Sequence, residues 1–68
     1  MIRLNRLNNS EIVINADQIE FMEETPDLVI TLMSGRKIVV CQPMSEVIRR
    51  IIKYKARILS NVPGPGED

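Results

Sequence analysis

The residues that could do chemistry are few and badly placed for it. Histidine is absent from the 68 residues, so the commonest general base and a frequent metal ligand are both missing. The one cysteine, Cys41, follows Val40 in an apolar run and reads as an inert core thiol, with no recognisable basic partner to activate it. Glu23 and Glu24 are adjacent acids. Neighbours on a strand point to opposite faces, so these two diverge and read as solvated acids before a turn rather than as an acid/base pair. Gly35 stands alone and makes no phosphate loop. Pro63-Gly64-Pro65-Gly66 has the composition of an extended segment for an aromatic groove, but here it reads as a mobile tail. Catalysis is therefore not expected, and neither is a metal or a cofactor.

Charge offers more. The formal net charge is zero, so the molecule as a whole has no electrostatic pull on nucleic acid or acidic lipid. The charges are nevertheless segregated. Asp17, Glu20, Glu23, Glu24 and Asp27 form an acidic stretch without a base. Arg49, Arg50, Lys53, Lys55 and Arg57 form a basic stretch without an acid. The plain reading is two solvated faces that keep the domain soluble. The sharper readings are head-to-tail pairing of subunits, or a basic helix face of Arg49, Arg50, Lys53 and Arg57 that meets acidic protein or lipid headgroups.

These charges must sit on a very small scaffold. A chain of 68 residues makes one domain at most. Cores of this size typically give roughly 3–5 kcal/mol without a staple. One cysteine excludes an internal disulfide, which leaves a partner as the staple. Residues are 44% hydrophobic, yet Phe21 and Tyr54 are the only aromatics, so the apolar mass is aliphatic. Burial of part of it between subunits of a homo-oligomer is expected. No stretch is long or apolar enough to span a membrane. The segment Met1-Ile2-Arg3-Leu4-Asn5-Arg6 has no apolar signal core, and an unpaired cysteine fits a reducing cytoplasm.

The pattern predicts an α+β domain over residues 1–60 with a flexible Pro/Gly tail over 61–68. A small antiparallel meander of about five strands comes first, and one C-terminal amphipathic helix comes after it. Ile2 to Leu7 alternates as a half-buried strand, Asn8-Asn9-Ser10 is turn chemistry, and Glu11 to Ile14 closes a hairpin. Asn15-Ala16-Asp17 is a loop or bulge. Ile19 to Glu23 alternates, with Ile19 and Phe21 on one face. Thr25-Pro26-Asp27 turns the chain. Leu28 to Met33 is apolar on both faces, which suits a central strand or a subunit contact. Ser34-Gly35 is a tight turn with Gly35 at positive φ, and Ile38 to Cys41 is again apolar on both faces. The period then changes to that of a helix. Met44, Val47, Ile48, Ile51, Ile52, Ile58 and Leu59 make one stripe, and it serves as core, as a self-association surface, or as both. Pro43 fits the first helical position, with Ser45 as an alternative cap, and Glu46 suits the positive end of the dipole.

Several of these segments carry a resemblance. Arg6-Leu7-Asn8, Asn15-Ala16-Asp17-Gln18-Ile19-Glu20, Glu23-Glu24-Thr25-Pro26-Asp27, Val29-Ile30-Thr31-Leu32, Gly35-Arg36-Lys37, Val39-Val40 and Ser45-Glu46-Val47-Ile48 together resemble the small FlbD-type flagellar proteins, also called SwrD-like. The likeness covers about residues 1 to 59, and the Thr-Pro-Asp turn with its flanks is its most specific piece. Departures are Asn9 where a glycine is usual, Gln42-Pro43 in place of a more acidic helix entry, and the basic Arg49-Arg50. The resemblance implies a non-enzymatic cytoplasmic accessory of the bacterial flagellum. Its family members look like promoters of motor power that act on or near the stator units, and it implies no particular site residues. The rival is a small CsrA-like RNA-binding regulator, which shares the outline of strands and then a helix. A neutral chain with two aromatics lacks the basic surplus and the stacking platforms that RNA binding needs, and the CsrA-type pattern is not visible.

Overall fold

The computed structural model describes residues 1–60, apart from the side chains of Leu59 and Ser60. The strands are β1 (Ile2–Asn5), β2 (Glu11–Ile14), β3 (Ile19–Glu24), β4 (Leu28–Leu32) and β5 (Lys37–Val40). A single 3-10 turn over Ala16–Gln18 precedes β3, and helix α1 spans Met44–Ser60. The class is α+β, as expected. The expected tail, residues 61–68, lies outside the described residues.

The meander is not one sheet. β1 and β2 form an antiparallel hairpin, and β3, β4 and β5 form a second antiparallel sheet in that order. The break falls at Asn15 to Gln18. The Asn15 side chain accepts from the Asp17 N–H at 3.0 Å and holds a helical turn where β2 would otherwise run on into β3. Backbone at the opposite corner joins the two sheets. Arg6 bridges to Val40, and the Cys41 N–H donates to the Asn5 carbonyl at 2.8 Å. Gln42 completes the joint: its Oε1 accepts from the Asn5 N–H at 2.9 Å, and its Nε2 donates to Asn5 Oδ1 at 2.8 Å.

Two tight turns obey their chemistry. Asn9 has φ of 73°, the left-handed region that Asn tolerates better than most residues. Asn8 Oδ1 steadies the turn by accepting from the Ser10 N–H at 3.0 Å and from the Ser10 hydroxyl at 2.7 Å. Gly35 has φ of 94°, and its N–H donates to the Leu32 carbonyl. The Thr25-Pro26 peptide is cis.

The core lies where the two sheets and the helix meet. Ile2, Leu4 and Ile14 enter from the hairpin, Ala16 from the 3-10 turn, Leu28, Ile30, Ile38 and Val40 from the larger sheet, and Val47 from the helix. β4 is the central strand of its sheet, as its apolar run predicts.

Three expectations need correction. A bulge between Ile19 and Phe21 shifts the register of β3 against β4, so these residues do not share a face. Ile19 and Met22 pack against the core, and Phe21 is exposed. Cys41 is exposed rather than buried: β5 ends at Val40, and its inward residues are Ile38 and Val40. Pro43 precedes the helix instead of opening it. Its carbonyl accepts the first helical bond, from the Val47 N–H at 3.2 Å.

Two outcomes test this account. Asn5→Ala and Gln42→Ala should each cost about 1–3 kcal/mol, and the double variant should cost clearly less than their sum because one hydrogen-bonded pair is lost either way. Urea melts of the four proteins measure this. At Gly35 an added Cβ would meet nothing within 4 Å, so backbone conformation alone sets the penalty. Gly35→Ala should therefore cost about 1–2 kcal/mol, and Gly35→Asn should recover part of it.

Candidate functional site

The two charged stretches come together only in part, and much of what they could do is done within the chain. Glu24 lies at the end of β3, and its Oε2 accepts from the Met44 N–H at 3.1 Å. A carboxylate from the sheet thus caps the first amide of the helix, where the macrodipole is positive. Ser45 is therefore not needed as a side-chain cap. Glu23, one residue away, is exposed on the other face, so the two acids diverge as strand geometry requires. Asp17 Oδ1 meets Lys55 Nζ at 3.3 Å, which ties the acidic stretch to the basic one. Glu20 and Asp27 are exposed.

The basic helix carries its own counter-ion. Glu46 faces Arg49 at 2.8 Å and Arg50 at 2.7 Å, at the three- and four-residue spacings that put helix neighbours in reach. Arg50 also donates to the Arg3 carbonyl, which pins the helix to β1. The hydrogen bonds from Arg49 and then Arg50 hold the Glu46 carboxyl below its ordinary pKa, and Glu46 in turn raises that of Arg49. Lys53 is exposed, and Arg57 is half-buried and engaged. The helix is therefore less of a bare cationic surface than its sequence suggests, which weakens the case for phosphate binding.

The apolar stripe divides in two. Met44, Val47, Ile51 and Tyr54 pack against the core, at spacings that track one side of the helix. Tyr54 completes this line; the expected stripe omits it, although its position is in phase with Val47 and Ile51. Ile48 and Ile52, four residues apart, lie beside that line and are 41% and 62% exposed. Ile58 is exposed as well. Leu59 belongs to the expected stripe, and its side chain lies outside the described part of the chain. Among the described residues no group of His, Cys, Asp or Glu side chains could hold a metal ion. No helix among them is long and apolar enough to cross a membrane. The arrangement offers contact surfaces: an apolar helix side at Ile48 and Ile52, with Arg49 and Lys53 on the next ridge.

The Glu46 network gives a pH test. Its carboxyl is lowered in the folded state, so its stabilising effect is present above the ordinary carboxylate pKa and is lost as pH falls through the lowered value. Glu46→Gln should melt below the wild type at neutral pH, and the two melting temperatures should converge as the pH is taken below the carboxylate range.

No curated protein and no solved structure gives a significant match to the chain. One family model does match, that of FlbD, described as flagellar and swarming motility proteins, and it spans residues 1–59. That span takes in both sheets and nearly all of the helix, including Asn9, the Thr-Pro-Asp turn and the Glu46 cluster. The chain therefore belongs to the FlbD family of flagellar and swarming motility proteins.

Proposed function

We propose that this protein is a non-enzymatic flagellar accessory that supports swarming by raising motor output through protein–protein contacts at the cytoplasmic side of the stator units. Family membership supports the motility role. The contact mechanism rests on one observation: Ile48 and Ile52 are exposed side by side on the helix, next to Arg49 and Lys53. Exposed aliphatic side chains rimmed by cations suit an apolar partner surface with acidic residues at its margin. The apolar pair supplies affinity, and the cations supply orientation and salt dependence. A modulator of this kind needs no nucleophile, base or metal.

Deletion of the gene in its host, with filament number and swimming or swarming speed both scored, tests the role. Normal filaments with weak propulsion are expected. Missing filaments would instead place the protein in assembly or in control of expression, where an RNA-binding role would compete. Complementation tests the surface. Ile52→Asp replaces an exposed side chain, so the protein should stay folded by circular dichroism and still fail to restore speed. Full rescue by a folded Ile52→Asp protein would remove this helix side from the mechanism.

A further inference from the structure

We propose that the outer face of the three-stranded sheet is a homodimer interface, with two copies packed face to face across a two-fold axis. Strand register defines that face. Glu23, Val29 and Val39 lie opposite one another across β3, β4 and β5, and so do Phe21, Thr31 and Lys37. Directly paired residues share a side of a sheet, and alternate residues of a strand return to it. Ile30 and Ile38, in the row between, point into the core. These two rows therefore point away from the core.

The face is apolar along one diagonal, and its centre is Val29 and the buried Thr31. Phe21 is 46% exposed and Val39 36%, and they stand at opposite corners with Val29 and Thr31 between them. Thr31 is itself only 5% exposed, since it is central and flanked by Phe21 and Lys37. Phe21 is one of only two aromatics in the chain, and the β3 bulge turns it outward while Ile19 and Met22 face the core. An exposed aromatic beside Thr31, with Val29 on its diagonal, marks an interaction surface.

Charge selects a second copy as the occupant. Glu23 and Lys37 are exposed and hold the other two corners, on the other diagonal. A two-fold axis along the Phe21–Val39 diagonal sets Phe21 against Phe21 and Val39 against Val39. The same operation brings Glu23 of each copy toward Lys37 of the other, so two ion pairs form from one patch. Such self-complementarity is what an isologous interface requires. The axis also crosses the strands of the two sheets at a steep angle, within the orthogonal class of sheet packing. The open edge of β3 is a poorer route to self-association. Three of its six residues are acids, and pairing two such edges gathers like charge. A face three short strands wide buries less than the roughly 800 Å² per partner of a standard interface, so dimerisation should be weak and concentration dependent.

Sedimentation equilibrium of the full chain, carried to ~1 mM, tests this. A monomer–dimer equilibrium is expected. Glu23→Lys and Lys37→Glu should each weaken it about tenfold or more at low salt, and the double swap should restore it, because the swapped corners again face opposite charge. Thermal melts accompany each variant, so a folding defect is distinguished from a lost interface. Phe21→Ser should abolish the dimer and leave the monomer folded. A chain that stays monomeric throughout, or a dimer indifferent to the two charge reversals and to Phe21→Ser, overturns the proposal. A monomer whose Phe21→Ser variant loses motility would also overturn it and would assign the face to another protein.

Discussion

Asn5 and Gln42 hold the molecule together at its corner. The two sheets share no ladder, so without a joint they would be a hairpin beside a three-stranded sheet. The hairpin would be marginal alone, since two strands rarely stand in water without further packing. The joint engages Asn5 through backbone and side chain alike. Its N–H and side-chain oxygen go to Gln42, and its carbonyl accepts from Cys41. This fixes the angle at which Ile2 and Leu4 reach Val40 and Val47, and it also fixes where the helix begins, one residue after Pro43. The partly buried setting raises the stakes, because a half-satisfied amide there costs more than the bond it loses.

Helix placement depends on the same corner and on three charged contacts. Glu24 receives the first helical amide, Arg50 reaches the Arg3 carbonyl, and Lys55 meets Asp17. Each is a modest interaction at an exposed site. They lie at the start, middle and later part of the helix and agree with the rotation that core packing requires, in which Val47 and Ile51 face inward while Ile48 and Ile52 do not. The segregation of acids and bases along the chain is thus partly a device for folding. It leaves Glu20, Glu23 and Asp27 on the strands and turns, and Lys53 on the helix, as exposed charges for contact with others.

What the sequence made legible was local. Gly35 announced its positive φ because few other residues tolerate it, Asn8-Asn9-Ser10 announced a turn, and the change of period at Met44 announced the helix. The central place of β4 could be read because Leu28 to Met33 carries apolar residues on both faces. Features that stayed hidden were long in sequence or odd by one residue. The Asn5–Gln42 exchange spans 37 positions and involves two ordinary amides. The β3 bulge inserts one residue and reverses the face of Phe21, an effect that alternation cannot anticipate. Cys41 is hidden in the same way, since a strand that stops one residue earlier exposes its neighbour. The split of the helix stripe was hidden for a different reason. A stripe wide enough for Val47, Ile48, Ile51 and Ile52 is wider than the sheet can cover, and pattern alone does not say which half is covered.

That excess width bears on function. A domain this small has little interior, and burying more of its aliphatic side chains would require more sheet than five short strands provide. Several exposed apolar residues stand apart, among them Met1, Leu7, Val13 and Met33, but two groups do not. Ile48 and Ile52 are neighbours on the helix, and Phe21, Val29 and Val39 are neighbours on the outer sheet face. These two groups lie on different elements, one bordered by Arg49 and Lys53 and the other by Glu23 and Lys37. With Arg49 paired to Glu46, Lys53 still leaves the helix side a positive border, which repels its own copy and favours a partner of opposite sign. A surface bordered by both signs at opposite corners is compatible with itself. Under the two proposals charge placement divides the work: the sheet face suits self-association and the helix side suits a foreign partner. Weak association through the first would present two copies of the second, and two weak contacts to one multi-subunit partner would then bind far more tightly than one.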